Sequence, residues 1–542
     1  MRGRPVAAAS FFLLVVLLLQ WFSFAYTREF GGDADEPAHY ITGLMFHDYC
    51  AAGLPSGPMR FAESYYLHYP KVALGHWPPF FYVVQTLWTL PFGTSRISLM
   101  LLMAALTASL AVLVERAIAA DHGLACSLIA TGMLLCLPAI HYGESRVMSE
   151  SLEALLCFAA LRCWGRSLQG SSRWGLLGFV CFAILAILTK GTGLSLAIVP
   201  GFSLLLLRRF RVFGKPSFWV CGLAVAVICL PAYTLLPNTG LPALRRAEGI
   251  HLNLEAVGTL PRQIIAETGP LAAALIGIGI AAWLWSALRG KTTDEHLTTA
   301  GAAVFGFLIL RAFVMAAEEG RHLAIVAAPL MLFLASGAAA VARQCRRSRL
   351  RFEVGTGWVV LAAAAVFLAT SFARQPKPEW GLSPLLSELL ANRVAYGDVF
   401  LISSDSTGEG VVIAETAMRE RRPGHYILRA SQALAEQSWS GFEYRSKLTG
   451  ALEIGKYLDS VPVSTVILIF PPGMVLRPYH SLLQQFLRTH PEVWYEQVFR
   501  PDPARSDDAL TLVYRRAIVV DTSHPRIELD LAGNKLGRSL HN

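Results

Sequence analysis

Charge is scarce in this 542-residue chain. Only 16% of its residues are Asp, Glu, Lys or Arg, where a soluble globular protein has about a quarter. That shortage excludes an ordinary cytosolic enzyme and a disordered chain. CxxC pairs and Cys/His metal spacings are missing as well. Of the nine cysteines, Cys126, Cys136, Cys157, Cys163, Cys181, Cys221, Cys229 and Cys345 lie in or beside apolar runs, and Cys50 alone falls in a polar segment. They read as small buried hydrophobes and not as a disulfide framework. Internal repeats and low-complexity tracts are absent too, which removes solenoids and fibres. What is present is apolar: 54% hydrophobic residues and a mean hydropathy of +0.46. So much apolar surface needs a bilayer as its solvent. A net charge of +9 would suit nucleic acid. The basic residues gather instead in short turns between apolar runs, the pattern that sets membrane topology, so no nucleic-acid partner is expected.

The first apolar run, 7–25, has a basic start and is about as long as a full span, so it reads as an uncleaved first helix with its N-terminus inside. Further runs cover 97–119, 124–140, 152–164, 174–188, 193–207, 218–236, 271–288, 297–317, 323–342 and 357–372. A shorter run, 80–92, follows Pro78-Pro79 and contains Pro91. Four basic turns are expected in the cytoplasm: Arg162/Arg166/Arg173, Arg208/Arg209/Arg211/Lys215, Arg289/Lys291 and Arg343/Arg346/Arg347/Arg349/Arg351. Strict alternation then puts 27–77 and 141–150 outside, so an even number of spans separates them. Three runs lie between, and 80–92 is the one too short to cross. It is expected to lie at the outer interface.

The expected fold is therefore a polytopic α-helical membrane protein of about 11 spans with a C-terminal extracytoplasmic α/β domain. The expected division is 1–373 for the membrane domain, with an external first loop at 27–96, and 374–542 for the α/β domain. In the latter, runs 399–403, 426–428, 465–470, 494–498 and 510–514 read as strands, with helical patterns at 408–421, 451–458 and 480–489 between them. The two prolines of 375–378 mark the linker.

Polar residues converge on the outer side. Asp33, Asp35 and Glu36 lie just past the first span, followed by His39 and Tyr40. Such carboxylates serve as a general base, or as a solvated loop that caps a helix with Asp35 at the N-cap and Pro37 behind it. His76, Trp77 and Tyr82 surround the Pro-Pro pair and suit either sugar stacking or interfacial anchoring. Arg146, Glu150 and Glu153 open a span, where the helix dipole favours an acid and where an intramembrane acid also points to function. Lys190 sits at a Gly-containing turn, and Arg321-His322 follow Glu318-Glu319. These cations suit a phosphate headgroup, or snorkel to water. The 237–268 loop, with Arg245, Arg246, His251 and Arg262, is expected on the same side. The segment 403–410, a strand-to-helix loop with Gly408 and Gly410, has the geometry of a weak anion site.

The order of these motifs carries a resemblance. A membrane helix is followed by Asp-Glu-x-x-x-Tyr, Pro-Pro-x-x-Tyr, Ser-Arg-x-x-Met-x-(acid), Thr-Lys-Gly, and Arg-His before a Pro-containing span. Over roughly residues 1–345 this resembles the GT-C class of polytopic glycosyltransferases, which includes protein O-mannosyltransferases and aminoarabinose transferases. The resemblance implies an inverting transferase that moves a sugar from a polyprenyl-phosphate donor to a lipid, glycan or protein acceptor outside the inner membrane of a bacterium. It implies catalytic carboxylates at Asp35, with Glu36 following, and at Glu150. Arg146, Lys190, Arg321 and His322 would hold the donor phosphate, and His39, Tyr40, His76, Trp77 and Tyr82 would contact sugar or lipid. Two positions depart from the pattern: Glu150 stands where Asp is common, and Trp77 where aminoarabinose transferases carry Lys. The resemblance fixes no cofactor, and Asp33, Asp35, Glu36 and Glu150 could hold Mg²⁺ or Mn²⁺.

Two other functions fit a polytopic chain: a transporter or flippase for a lipid-linked sugar, and a non-catalytic membrane scaffold. Transporters favour charges at the bilayer midplane and repeated halves, which are not features of this sequence.

Overall fold

The computed structural model describes residues 4–539 except 74, 171, 235–252, 291–293, 314–318, 348–354, 373–374, 394–396, 437–443, 449, 472, 474–476, 500–508, 518–525 and 532–533. Arg245, Arg246, His251, Lys291, Glu318, Arg349 and Arg351 thus lie outside the described residues. By contacts the chain divides into two units. One comprises 1–23, 75–81 and 100–375, and the other 24–74, 82–99 and 376–542.

The first unit is helical. Where described, the predicted apolar runs fall largely on helix: 7–25 on Arg4–Phe22, 97–119 on the first part of the 41-residue Arg96–Cys136, and 124–140 on its second part and the separate short helix Pro138–Glu144. Gly123 interrupts this long helix with φ +79°, a backbone conformation that glycine adopts without a Cβ clash. Helices Glu150–Gly170, Arg173–Ile187, Ile198–Leu206, Pro216–Thr234, Pro270–Leu288, Glu295–Phe313, Ala324–Arg347 and Thr356–Thr370 follow. Among the described residues, five helices are long and apolar enough to cross a membrane: Arg96–Cys136, Pro216–Thr234, Pro270–Leu288, Glu295–Phe313 and Gly320–Arg346. The 13-residue helix Phe80–Phe92 would extend only about 20 Å, short of a bilayer's hydrocarbon core.

Close packing explains why small residues recur in these helices. A Cβ on Gly337 would stand 1.9 Å from the Leu275 carbonyl oxygen, and one on Gly279 would stand 2.2 Å from that of Phe333. Helices 270–288 and 324–347 therefore approach backbone to backbone, as small residues permit in lipid. Elsewhere Phe12 and Val16 of the first helix pack on Ala104, Ala108 and Ala111. Gln20 donates to the carbonyls of Met100 at 2.9 Å and Glu144 at 2.7 Å, satisfying a fully buried amide.

The second unit is built on a five-stranded sheet. Strands run in the order Tyr426–Arg429, Val399–Ser403, Thr465–Phe470, Leu510–Arg516 and Trp494–Phe499. The first three are parallel, and the last two add an antiparallel hairpin. Val399–Ser403 and Thr465–Phe470 are near-continuous buried runs, as a central parallel strand requires. Helix Ser406–Arg419 is capped by Asp405, which accepts from the Gly408 N–H at 2.7 Å. Residues 24–74 belong to this same unit. Glu29 accepts from the backbone N–H groups of Trp380, Leu382 and Ser383 at 3.0–3.2 Å. Burial pushes its carboxyl up, but these bonds outweigh burial and hold it below its usual range.

Candidate functional site

In the helical unit, three residues distant in sequence meet at a carboxylate. Glu150 opens helix Glu150–Gly170, where the helix dipole favours an acid. Its Oε1 accepts from Lys190 Nζ at 2.6 Å, and Arg321 Nε stands 3.7 Å away. Lys190 ends the turn after helix Arg173–Ile187, and Arg321 lies in the short 3₁₀ turn Gly320–Leu323 before helix Ala324–Arg347. Arg321 also pairs with Glu319. The Glu150 side chain is 2% exposed and that of Lys190 13%, so this ion pair is largely removed from water and its attraction is strengthened.

Arg146 and Arg321 flank one aromatic ring. Their guanidinium carbons lie 4.3 and 5.7 Å from the centroid of Tyr142, within cation–π range. Arg146 also donates to Ser145 Oγ at 3.0 Å. One turn into helix Glu150–Gly170, Glu153 accepts from Thr192 Oγ1, which ties the Lys190 turn to the same helix. Three buried atoms here, Arg146 Nε, Ser149 Oγ and His322 Nδ1, have no hydrogen-bond partner among the described residues. Such atoms cost stability unless water or a ligand meets them. The half-buried pair His76 and Trp77, edge to face at 4.6 Å, belongs to this unit. The Phe80 N–H donates to the Leu188 carbonyl at 3.0 Å, which holds the Pro-Pro segment beside the Thr189-Lys190 turn.

The remaining sequence-predicted residues belong to the sheet unit. Asp35 occupies the N-cap position of helix Glu36–Ala51 with a proline behind it, but its side chain does not cap the helix. Asp33 instead accepts from the Asp35 N–H at 2.8 Å, forming a local turn. Glu36 is fully buried, with one oxygen accepting from the Gly32 N–H at 2.8 Å and the other from Lys377 Nζ at 2.6 Å. His39 Nδ1 lies 3.1 Å from Tyr82 OH. Burial first, then the Asp35 carboxylate, hold the Tyr82 phenol well above its usual range, so it stays neutral. Tyr40 stacks on Phe30 at 4.0 Å and donates to the Thr94 carbonyl at 2.8 Å.

Lys71 was not legible as a site residue. It is fully buried and donates to Ser406 Oγ at 2.9 Å and to the Ser406 carbonyl at 3.0 Å. Burial and Arg429 push its amine down, while Glu409, Asp35 and Asp405 oppose them, leaving it at about 7. A single lysine in the tyrosine-rich stretch 65–72 gives no spacing signal. Only the fold shows that it is desolvated and near Asp35. Among the described residues, no three His, Cys, Asp or Glu side chains gather as a metal-binding group.

The sequence matches no protein-family model and no curated protein. Solved structures do match. ArnT from Cupriavidus metallidurans in the apo state superposes with a TM-score of 0.55 at 14% identity, covering 92% of this chain and 97% of that one. The same protein bound to undecaprenyl phosphate gives 0.54 at 14% identity, with 93% and 97% covered. The archaeal oligosaccharyltransferase AglB from Archaeoglobus fulgidus, in complex with an inhibitory peptide and a dolichol-phosphate, gives 0.50 at 14% identity, with 85% and 69% covered. Both proteins are GT-C glycosyltransferases. At this identity the likeness speaks to architecture: the chain has the fold of the GT-C membrane glycosyltransferases.

Proposed function

We propose that the protein is an inverting glycosyltransferase that moves a sugar from a polyprenyl-phosphate donor to a lipid, glycan or protein acceptor. It would act on the extracytoplasmic face of a bacterial inner membrane. The observation that carries this reading is the meeting of Lys190 and Arg321 at Glu150, with the Arg146, Ser149 and His322 atoms that lack partners among the described residues, in a GT-C fold. A phosphate monoester or diester would supply acceptor oxygens to such donors. ArnT is known bound to undecaprenyl phosphate and AglB to a dolichol-phosphate, which supports the same ligand class here.

The chemistry is one displacement. The acceptor oxygen forms a bond to the anomeric carbon as the bond from that carbon to the phosphate oxygen breaks, and the electron pair leaves with polyprenyl phosphate. Lys190, Arg321 and Arg146 would stabilise the leaving charge. Asp35 would take the acceptor's proton; it stands at the N-cap position of helix Glu36–Ala51 without capping it. Glu150 would hold the two cations in place, and Glu36, through Lys377 and Gly32, would fix the loop that carries Asp35. His39, Tyr40, His76, Trp77 and Tyr82 would contact sugar or lipid. Domain boundaries at 373/374 remain part of this reading. A divalent ion enters no step.

The test uses full-length protein in vesicles containing polyprenyl-phosphate hexoses and pentoses together with candidate lipid, glycan and peptide acceptors. Wild-type protein should release free polyprenyl phosphate with formation of a new glycosidic bond, and Asp35→Asn should abolish release while remaining folded. Release at the wild-type rate by Asp35→Asn, or movement of the intact donor across the membrane without release, would falsify the assignment.

A further inference from the structure

Helices Arg173–Ile187 and Pro216–Thr234 are fastened at their C-terminal ends. There Tyr233 donates its hydroxyl to the Ile187 carbonyl at 2.7 Å. Ile187, Cys229 and Tyr233 form a buried apolar cluster, with Ile184, Leu188, Val225 and Ala232 packed on it. Toward the other end, away from Lys190, the pair opens around a cavity of about 340 Å³. Its lining includes Trp164, Phe179, Phe213, Phe218 and Trp219, and its surface is mostly apolar. The volume is that of a small-molecule site, which spans roughly 300–1,000 Å³. Two of its wall residues are Gly201 and Gly222, and a Cβ on either would meet no atom within 4 Å.

The chemistry of the rim is one-sided. No Asp or Glu occurs between Glu153 and Glu248, while the 208–215 turn beside the cavity carries Arg208, Arg209, Arg211 and Lys215. Arg209 is paired with Glu295 at 2.6 Å, and Arg208 donates to the Leu288 carbonyl at 3.0 Å. Arg211 and Lys215 are exposed on either side of Phe213. Trp219 Nε1 donates to the Phe213 carbonyl at 2.8 Å, which fastens this basic turn to the cavity wall. Trp174 and Trp219 are 83% and 63% exposed at the same end of their helices. Exposed tryptophans beside basic turns mark the boundary between lipid and water. The cavity therefore combines apolar walls at acyl-chain depth with a cationic edge at headgroup depth.

We propose that this cavity binds one acyl chain of an anionic phospholipid, whose headgroup phosphate is held by Arg211 and Lys215. A zwitterionic lipid would fill the same walls but gain less from the rim. Basic pockets between membrane helices recognise anionic headgroups in this way.

The test titrates full-length protein in micelles with phosphatidylglycerol or phosphatidylcholine and reads bound lipid by native mass spectrometry. Wild-type protein should retain one phosphatidylglycerol, with at least tenfold higher affinity than for phosphatidylcholine. Arg211→Ala with Lys215→Ala should erase that preference and leave phosphatidylcholine binding unchanged. Gly201→Leu with Gly222→Leu, which fills the space, should weaken both lipids tenfold or more. The charge variant alters only exposed side chains, so it decides the matter even if the filled variant fails to fold. Equal affinities in wild-type protein, a preference that survives the charge variant, or displacement of phosphatidylglycerol by equimolar undecaprenyl phosphate would overturn the proposal.

Discussion

Lys190 Nζ donates to Glu150 Oε1 at 2.6 Å across 40 residues of sequence. The lysine comes from a turn between two helices and the glutamate from the first turn of a third. Their pairing holds a cation at a helix end without consuming all of its donors, since an ammonium has three. Such a group can meet a ligand phosphate while keeping its carboxylate partner.

Lys190→Ala should therefore weaken binding of undecaprenyl phosphate by about 10- to 100-fold, the equivalent of roughly 1.5–3 kcal/mol for a hydrogen bond to a charged group. Lys190→Arg should recover part of that loss. Titration of the lipid into purified full-length variants measures it, and unchanged affinity in Lys190→Ala would remove Lys190 from the donor site.

Glu36 and Lys377 form a second pair whose side chains are both 0% exposed. Breaking one partner of a buried pair leaves an uncompensated charge and costs about 3–5 kcal/mol. Lys377→Met should lower the thermal unfolding midpoint sharply, and Lys377→Met combined with Glu36→Gln should restore much of it. Equal midpoints for the wild type and Lys377→Met would show that the pair contributes nothing to the sheet unit.

Lys71 predicts a pH effect. Its amine falls from 10.5 to about 7 in the folded chain. Between those values the unfolded chain binds the proton and the folded chain does not, so stability rises with pH across that window. Below about 7 both states are protonated and the full penalty of burying the charge applies. The difference in unfolding midpoint between the wild type and Lys71→Met should therefore shift in favour of the wild type from pH 7 to pH 10. A constant difference across that range would show that Lys71 keeps its ordinary basicity.

Much of this architecture was legible in the sequence. Strands Val399–Ser403 and Thr465–Phe470 coincide with apolar runs visible in the chain, because a buried central strand needs both faces apolar. The break between 119 and 124 appears at Gly123, since glycine tolerates the positive φ that joins two helical stretches. The sheet order was not legible: Val399–Ser403 lies between Tyr426–Arg429 and Thr465–Phe470, and strand pairing is a nonlocal choice. Nor could the sequence tell which acid serves as structure. Asp35 and Glu36 are neighbours, yet Glu36 is enclosed with a lysine 341 positions away while Asp35 heads a helix that it does not cap.

The sequence by itself determined the solvent of this protein and where its most apolar helices and its central strands lie, because hydrophobic runs and basic turns act locally on lipid and water. Helices such as Pro58–His68 and Ser383–Ala391 carried no such signal. Only the tertiary structure decided the partners of its charges. Lys71 beneath Ser406, Lys377 on Glu36 and Lys190 on Glu150 differ little as residues in a chain. Their properties come from how completely the surrounding fold removes water and which carboxylate it leaves within reach.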